Sequence, residues 1–177
     1  MEFVETVVDS IASVLHGDEL IIIESTSPPG TTARMREKLM KLRPDLEFEG
    51  ADHPTVNLAY CPERVLPGAI LEELRTNSRI VGGDSPSAID RASQLYSKIA
   101  ASEVLETDTK TAELTKLAEN AFRDVNIAFA NEISMVADAI GSDSSEVIRL
   151  ANRHPRVNVL QPGPGVGGHC ICLLYTS

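Results

Sequence analysis

Leu20-Ile21-Ile22-Ile23-Glu24-Ser25-Thr26-Ser27-Pro28-Pro29-Gly30-Thr31-Thr32 is the stretch from which the fold follows. Its four aliphatic residues form a short, largely β-branched run of the kind buried in a parallel sheet. Hydroxyl residues, two prolines and a glycine then interrupt regular structure, and Thr31-Thr32 opens a helix that the pattern carries to about residue 42. The order is strand, hydroxyl-rich loop, helix. In an open α/β sheet, ligands sit where loops leave the carboxyl ends of strands, so Ser25 and Thr26 stand where a cofactor or substrate would be. Turn and helix-capping chemistry is the competing reading for both, and spacing alone does not choose between them.

Upstream, Phe3, Val4, Val7, Val8, Ile11, Val14 and Leu15 recur at helical spacing, so residues 2–15 predict an amphipathic helix closed by Gly17. Downstream, residues 44–54 are polar and irregular, and residues 56–60 predict a strand running straight into Cys61-Pro62-Glu63-Arg64-Val65-Leu66-Pro67-Gly68. A second strand thus ends in a loop, this one carrying a carboxylate and a cation. Glu63 could act as a base or orient a water; it could equally be a solvated acid paired to Arg64. Residues 79–83 predict a further strand, residues 86–99 a helix with Pro86 in its first turn, and residues 102–107 a last strand. Strands alternating with helices make the class α/β with a mainly parallel sheet.

From Thr109 the pattern changes to one apolar-striped helix of about thirty residues, without Pro or Gly before Gly141. A helix that long must leave the sheet domain, which makes it a natural spine between domains or between subunits. Lys116 and Asn120 lie four apart and share one of its faces, so both could reach one cleft; a solvated lysine beside a neutral asparagine is the alternative. A shorter helix is predicted over residues 142–152, with Ser142 as its N-cap.

That helix leads into Arg156-Val157-Asn158-Val159-Leu160-Gln161-Pro162-Gly163-Pro164-Gly165-Val166-Gly167-Gly168-His169-Cys170-Ile171. Four glycines among residues 163–168 leave a bare backbone whose N–H groups can converge on an oxyanion or phosphate oxygen, with the Cys170 thiol at its end. The loop also satisfies G-x-G-x-x-G. A dinucleotide fingerprint must follow a strand and open a helix, however, and Pro164 and the apolar run after Cys170 supply neither. His169 and Cys170 with Cys172 could be read as metal ligands or a Cys/His hydrolase pair, but they lack the usual ligand spacing.

The chain has 177 residues and a formal net charge of -10, with no contiguous run of lysine or arginine, which argues against nucleic acid and anionic membrane as partners. None of its apolar runs, Leu20 to Ile23 included, is long enough to span a bilayer. The acidic start predicts no signal peptide, and three cysteines without disulfide-like spacing suit a reducing compartment, so the cytoplasm is the expected location.

Taken together, residues 25–32, 61–68, 112–126 and 161–171 resemble, in the right order, successive signature segments of the UDP-glucose/GDP-mannose dehydrogenase family. Residues 151–158 and 61–68 look most like the members that act on UDP-N-acetyl-D-mannosamine. The resemblance implies the second half of a Rossmann-like parallel sheet domain over residues 1–107. Residues 108–177 are then a long-helix, all-α dimerisation and substrate domain ending in a catalytic cysteine loop. It also implies NAD as cofactor and four-electron oxidation of a UDP-sugar C6 alcohol to a uronate, in polysaccharide precursor synthesis. Oxidation of UDP-N-acetylglucosamine or UDP-glucose is one alternative, and a dimerising fragment without turnover is the other.

Among the roles so implied, Cys170 is the nucleophile, Lys116 and Asn120 steady the oxyanion, and Glu63 with Thr26 and a water handles proton transfer and thioester hydrolysis. Ser25, Thr26 and Glu63 are the implied cofactor contacts. Arg64, Val65, Leu66, Lys116, Asn120, Arg156, Gly165, Gly167 and Gly168 are the implied substrate contacts, Arg156 acting across a homodimer built on helix 109–140. Two departures stand out. No G-x-G-x-x-G strand precedes Glu2, and Leu174 stands where the family pattern has an aspartate. The sequence therefore reads as an internal piece, inactive by itself, with residues 172–177 foreign to the family pattern.

Overall fold

The computed structural model describes residues 2–48, 55–65, 68 and 70–164, with only the backbone considered at positions 70 and 71. The chain divides into two compact units, Met1–Lys116 and Leu117–Ser177. In the first, the order is α1 (Glu2–Ala12), β1 (Leu20–Ile23), α2 (Thr31–Leu42), β2 (Asn57–Tyr60), α3 (Ile70–Thr76), β3 (Arg79–Gly83), α4 (Pro86–Ser97) and β4 (Val104–Asp108). Helix α5 (Thr109–Ile140) starts in this unit and continues into the second, where α6 (Ser144–Ala151) follows.

The four strands lie in spatial order β1-β2-β3-β4. β1 pairs with β2 and β3 with β4 in parallel, but β2 pairs with β3 antiparallel, Ala59 opposite Gly83 and Tyr60 opposite Gly82. Two of the three pairings among the described strands are parallel, in keeping with a mainly parallel sheet, and the antiparallel β2–β3 pair makes the sheet mixed. That antiparallel pair is not legible in the sequence because β2 and β3 are buried along their whole length. Continuous burial marks a central strand without recording its direction.

Side chains alternate across the sheet as the pleat requires. Leu58, Tyr60 and Ile80 join Val8, Met35 and Leu39 in a core on one face. Ala59, Cys61 and Val81 join Ala92 and Tyr96 of α4 on the other. At Gly82 and Gly83 neighbouring elements approach the sheet backbone closely. A Cβ at Gly82 would meet the Asp108 carbonyl oxygen at 2.6 Å and Ala112 Cβ at 2.7 Å, and one at Gly83 would meet Ile89 Cγ1 at 2.5 Å.

Local signals mostly set the element ends. α4 carries Pro86 in its first turn and Ser85 as N-cap, accepting from the Ala88 N–H. α6 is capped by Asp143, whose Oδ1 accepts from the Ser145 N–H at 2.9 Å, rather than by Ser142 as expected. α3 was not anticipated; at seven residues it is too short to display a helical period.

α2 has no side-chain cap of its own. Gly30, at φ 93°, occupies its N-cap position. The capping acceptor is Glu113 on α5, a fully buried carboxylate taking the Gly30 N–H at 2.5 Å, the Thr32 N–H at 2.8 Å and the Thr32 hydroxyl at 2.7 Å. A negative charge at a helix N-terminus meets both the unpaired N–H groups and the positive end of the dipole.

Candidate functional site

Because β1 and β2 run parallel, their carboxyl-end loops leave the sheet side by side. Backbone bonding continues beyond the ladder: the Cys61 N–H donates to the Ile23 carbonyl at 3.0 Å and the Glu63 N–H to the Glu24 carbonyl at 3.3 Å. Ser25 and Thr26 are thereby brought next to Glu63. Neither serves as the cap of α2, whose acceptor is Glu113. Ser25 is exposed and Thr26 half-buried.

The Glu63 carboxylate is held at both oxygens. Oε1 accepts from the N–H groups of Arg64 at 2.6 Å and Val65 at 2.7 Å, and Oε2 lies 3.7 Å from Arg79 Nη1. Its cationic partner is thus Arg79 and not the Arg64 side chain, which turns away to donate to the Ser78 carbonyl at 2.8 Å. Arg79 lies over the Tyr96 ring, 5.6 Å from its centroid, and the Tyr96 hydroxyl donates to Glu24 Oε1 at 2.5 Å. Burial, helped by the Glu24 carboxylate, pushes the Tyr96 hydroxyl far above the ordinary phenol range. Burial also pushes the Cys61 thiol up to about 11, so this cysteine is a core residue and not a nucleophile at neutral pH.

On α5, Lys116 and Asn120 stand one turn apart. Lys116 is half-buried; Asn120 is 5% exposed, and its Nδ2 has no hydrogen-bond partner among the described residues. An unsatisfied buried amide donor is costly, and such a donor is available to a ligand oxygen.

Three further asparagines govern the segment after α6. Asn152 pairs with both the N–H (2.8 Å) and the carbonyl (2.9 Å) of Val159. Asn126 takes the Leu160 N–H and donates to the Asn158 carbonyl, both at 2.9 Å. Asn131 does the same to both groups of Gly163 at 2.8 Å. Side-chain amides thus replace a neighbouring strand for an extended segment lying along α5. Arg156 is exposed, and its N–H donates to His154 Nδ1 at 3.3 Å. Leu66, Gly165, Gly167, Gly168 and Cys170, with His169 and Cys172, lie outside the described residues.

Sequence reasoning did not single out Arg79, Tyr96, Glu113 or the asparagine clamps. A bare glycine ahead of Thr31 signals that the cap of α2 comes from elsewhere, and asparagines inside a long helix signal side chains with polar work outside it. Phe122, Val125, Phe129, Val136 and Ile140 are all more than half exposed and follow one stripe of α5. No helix among the described residues is long and apolar enough to cross a membrane.

Comparison with known proteins adds an independent finding. Residues 1–100 match the family model for the NAD binding domain of UDP-glucose/GDP-mannose dehydrogenases, and residues 110–173 match the model for the central domain. The UDP-N-acetyl-D-mannosamine dehydrogenase of Yersinia pestis is 54% identical over 98% of this chain and 42% of its own length. The NDP-N-acetyl-D-galactosaminuronic acid dehydrogenase of Ralstonia nicotianae (strain ATCC BAA-1114 / GMI1000) is 50% identical over 98% of this chain and 41% of its own. Among solved structures, the UDP-D-ManNAc dehydrogenase of Pyrococcus horikoshii superimposes with a TM-score of 0.87 at 44% identity, covering 96% of this chain and 39% of that one. The chain therefore spans about two fifths of the length of the relatives it matches.

Proposed function

The chain belongs to the UDP-glucose/GDP-mannose dehydrogenase family, and on that premise we propose that, at the full length of its relatives, it performs the NAD-dependent four-electron oxidation of a UDP-sugar C6 alcohol to the uronate. UDP-N-acetyl-D-mannosamine is the proposed sugar nucleotide. The observation that carries the reading is the Glu63 carboxylate, gripped by two backbone N–H groups and Arg79 beside the Ser25-Thr26 loop, at the carboxyl ends of two parallel strands. The choice of sugar is supported by the name of the relative at 54% identity, and the name of the relative at 50% also carries an N-acetylated amino sugar.

Ser25, Thr26 and Glu63 fit the cofactor, because they set hydroxyl and carboxylate groups where a nucleotide sits in such a sheet. When bound, NAD supplies the hydride acceptor for both oxidation stages. The remaining work falls to the chain's own residues. Cys170, as thiolate, adds to the C6 aldehyde and holds it as a thiohemiacetal, then holds the acid-level carbon as a thioester. Lys116 and Asn120 donate to the oxyanion; the unpartnered Asn120 amide supports that role. Glu63, with the Thr26 hydroxyl and a water, moves the proton and directs thioester hydrolysis.

Arg64, Val65, Leu66, Gly165, Gly167 and Gly168 contact the substrate, and Arg156 reaches it from the second subunit of a homodimer. The exposed apolar stripe of α5 supports that dimer. The reducing cytoplasm is the proposed compartment.

The test is NADH formation by the full-length protein containing this chain on UDP-N-acetyl-D-mannosamine, with UDP-N-acetylglucosamine and UDP-glucose beside it. Two NADH per sugar nucleotide, lost on Cys170→Ala, is the expected result. No NADH from any of the three would overturn the reading and favour a dimerising module without turnover, which the α5 stripe would also suit.

A further inference from the structure

Arg79 is the first residue of β3, and its side chain is 3% exposed. Charged groups are tolerated at that depth only when paired. The antiparallel register with β2 places Ala59 opposite Gly83 and Tyr60 opposite Gly82, and the same register continued sets position 63 opposite position 79. Glu63 is accordingly the ion-pair partner the structure gives Arg79, at 3.7 Å, while its own side chain remains 44% exposed. The guanidinium lies over the Tyr96 ring, and Tyr96 is anchored through its hydroxyl to Glu24, the residue before Ser25. A line of contacts Glu24–Tyr96–Arg79–Glu63 therefore links the loops that end β1 and β2.

We propose that Arg79, seated on Tyr96, is a positioning residue that holds the Glu63 carboxylate in the orientation its proton transfer requires. The proposal rests on the reading of Glu63 given above. The guanidinium draws Oε2 towards the sheet, and the backbone N–H groups of Arg64 and Val65 hold Oε1. Two anchors of different kind remove the rotation about the last side-chain bond that an exposed glutamate otherwise keeps. The carboxylate still meets solvent or ligand on its exposed side. Arg79 touches neither substrate nor cofactor in this scheme, and its effect passes through Glu63.

The first arm of the test uses this chain and needs no activity. Amide hydrogen exchange at Arg64 and Val65 is measured by NMR in the unaltered chain and in Arg79→Gln, Arg79→Lys and Glu63→Gln. With the guanidinium gone, the carboxylate is released. Exchange at these two amides should then accelerate about tenfold beyond any change at core amides such as Val81, as expected for weakening a charge-assisted hydrogen bond. Arg79→Lys, which keeps the charge, should recover part of the protection, and Glu63→Gln should reproduce the loss. If Arg79→Gln does not fold, Tyr96→Leu, which removes the surface beneath the guanidinium, is read in the same way. Unchanged protection at Arg64 and Val65 in a folded variant, or loss only in step with the core, overturns the proposal.

The second arm measures turnover of the full-length protein. Arg79→Gln should lower kcat while KM for the sugar nucleotide stays within about twofold, and adding Glu63→Gln should cost little more. Turnover unaffected by Glu63→Gln alone would remove Glu63 from the chemistry. The first arm would then still report whether Arg79 orients it, so the two failures are distinguishable.

Discussion

Replacing Glu113 by alanine tests how much of the sheet unit depends on a cap supplied from 81 to 83 positions away in the chain. The substitution removes the acceptor for three donors and leaves the Gly30 and Thr32 N–H groups without their partner at the start of α2. Thr32 is fully buried, so its N–H cannot turn to water, whereas Gly30 is half-buried and can be rehydrated in part. An unsatisfied buried donor costs about 1–3 kcal/mol. Loss of a carboxylate at a helix N-terminus costs a further ~0.3–2 kcal/mol. Relief of the carboxylate's own burial opposes both.

The expected net destabilisation is about 2–4 kcal/mol for Glu113→Ala and roughly half that for Glu113→Gln, which keeps one acceptor oxygen. Urea unfolding followed by circular dichroism at pH 7 measures it, with amide exchange at Thr32 as the local readout. Glu132→Ala, an exposed position on the same helix, is the control and should stay within ~0.5 kcal/mol. Equal stabilities for Glu113→Ala and Glu132→Ala, or an unchanged Thr32 amide, would refute the capping argument.

Other expectations follow from single contacts. The Cys61 thiol, raised to about 11 from an ordinary 9.0, contributes stability that is intact below pH 9.0 and is lost as pH climbs to about 11, because the unfolded chain ionises first. Stability–pH curves of the unaltered chain and Cys61→Ala should therefore converge across that window by about 2 kcal/mol; parallel curves would count against the assignment. Gly82→Ala drives a methyl into the Asp108 carbonyl and Ala112, and should cost about 1–3 kcal/mol in a thermal melt; an unchanged melt would mean that α5 does not approach β3 so closely. Asn131→Ala should accelerate exchange at the Gly163 amide about tenfold with little change in the sheet unit, and equal exchange would remove the clamp. Phe122→Ser with Phe129→Ser should convert a dimer to monomer in sedimentation, and an unaltered chain already monomeric at micromolar concentration would end the spine reading.

Short-range pattern determined a large share of this protein. The strand runs at 20–23 and 79–83, the helical spacings through 31–42 and 109–140, and the order of the strand-end loops were legible because period and turn chemistry act between neighbours. Ser25, Thr26 and Glu63 could be placed at strand ends for the same reason. Tertiary structure alone decided the direction of β3 against β2, because the continuous burial of both strands reads the same whichever way a strand runs. That direction sets Arg79 and not Arg64 against Glu63. It is likewise tertiary packing that brings Glu113 to the bare N-terminus of α2, and Asn126 and Asn131 to a segment more than thirty residues downstream. Periodicity reports which side of an element is buried; it carries no record of which distant group meets it there, and the contacts of Arg79 with Glu63 and of Glu113 with α2 are of that distant kind.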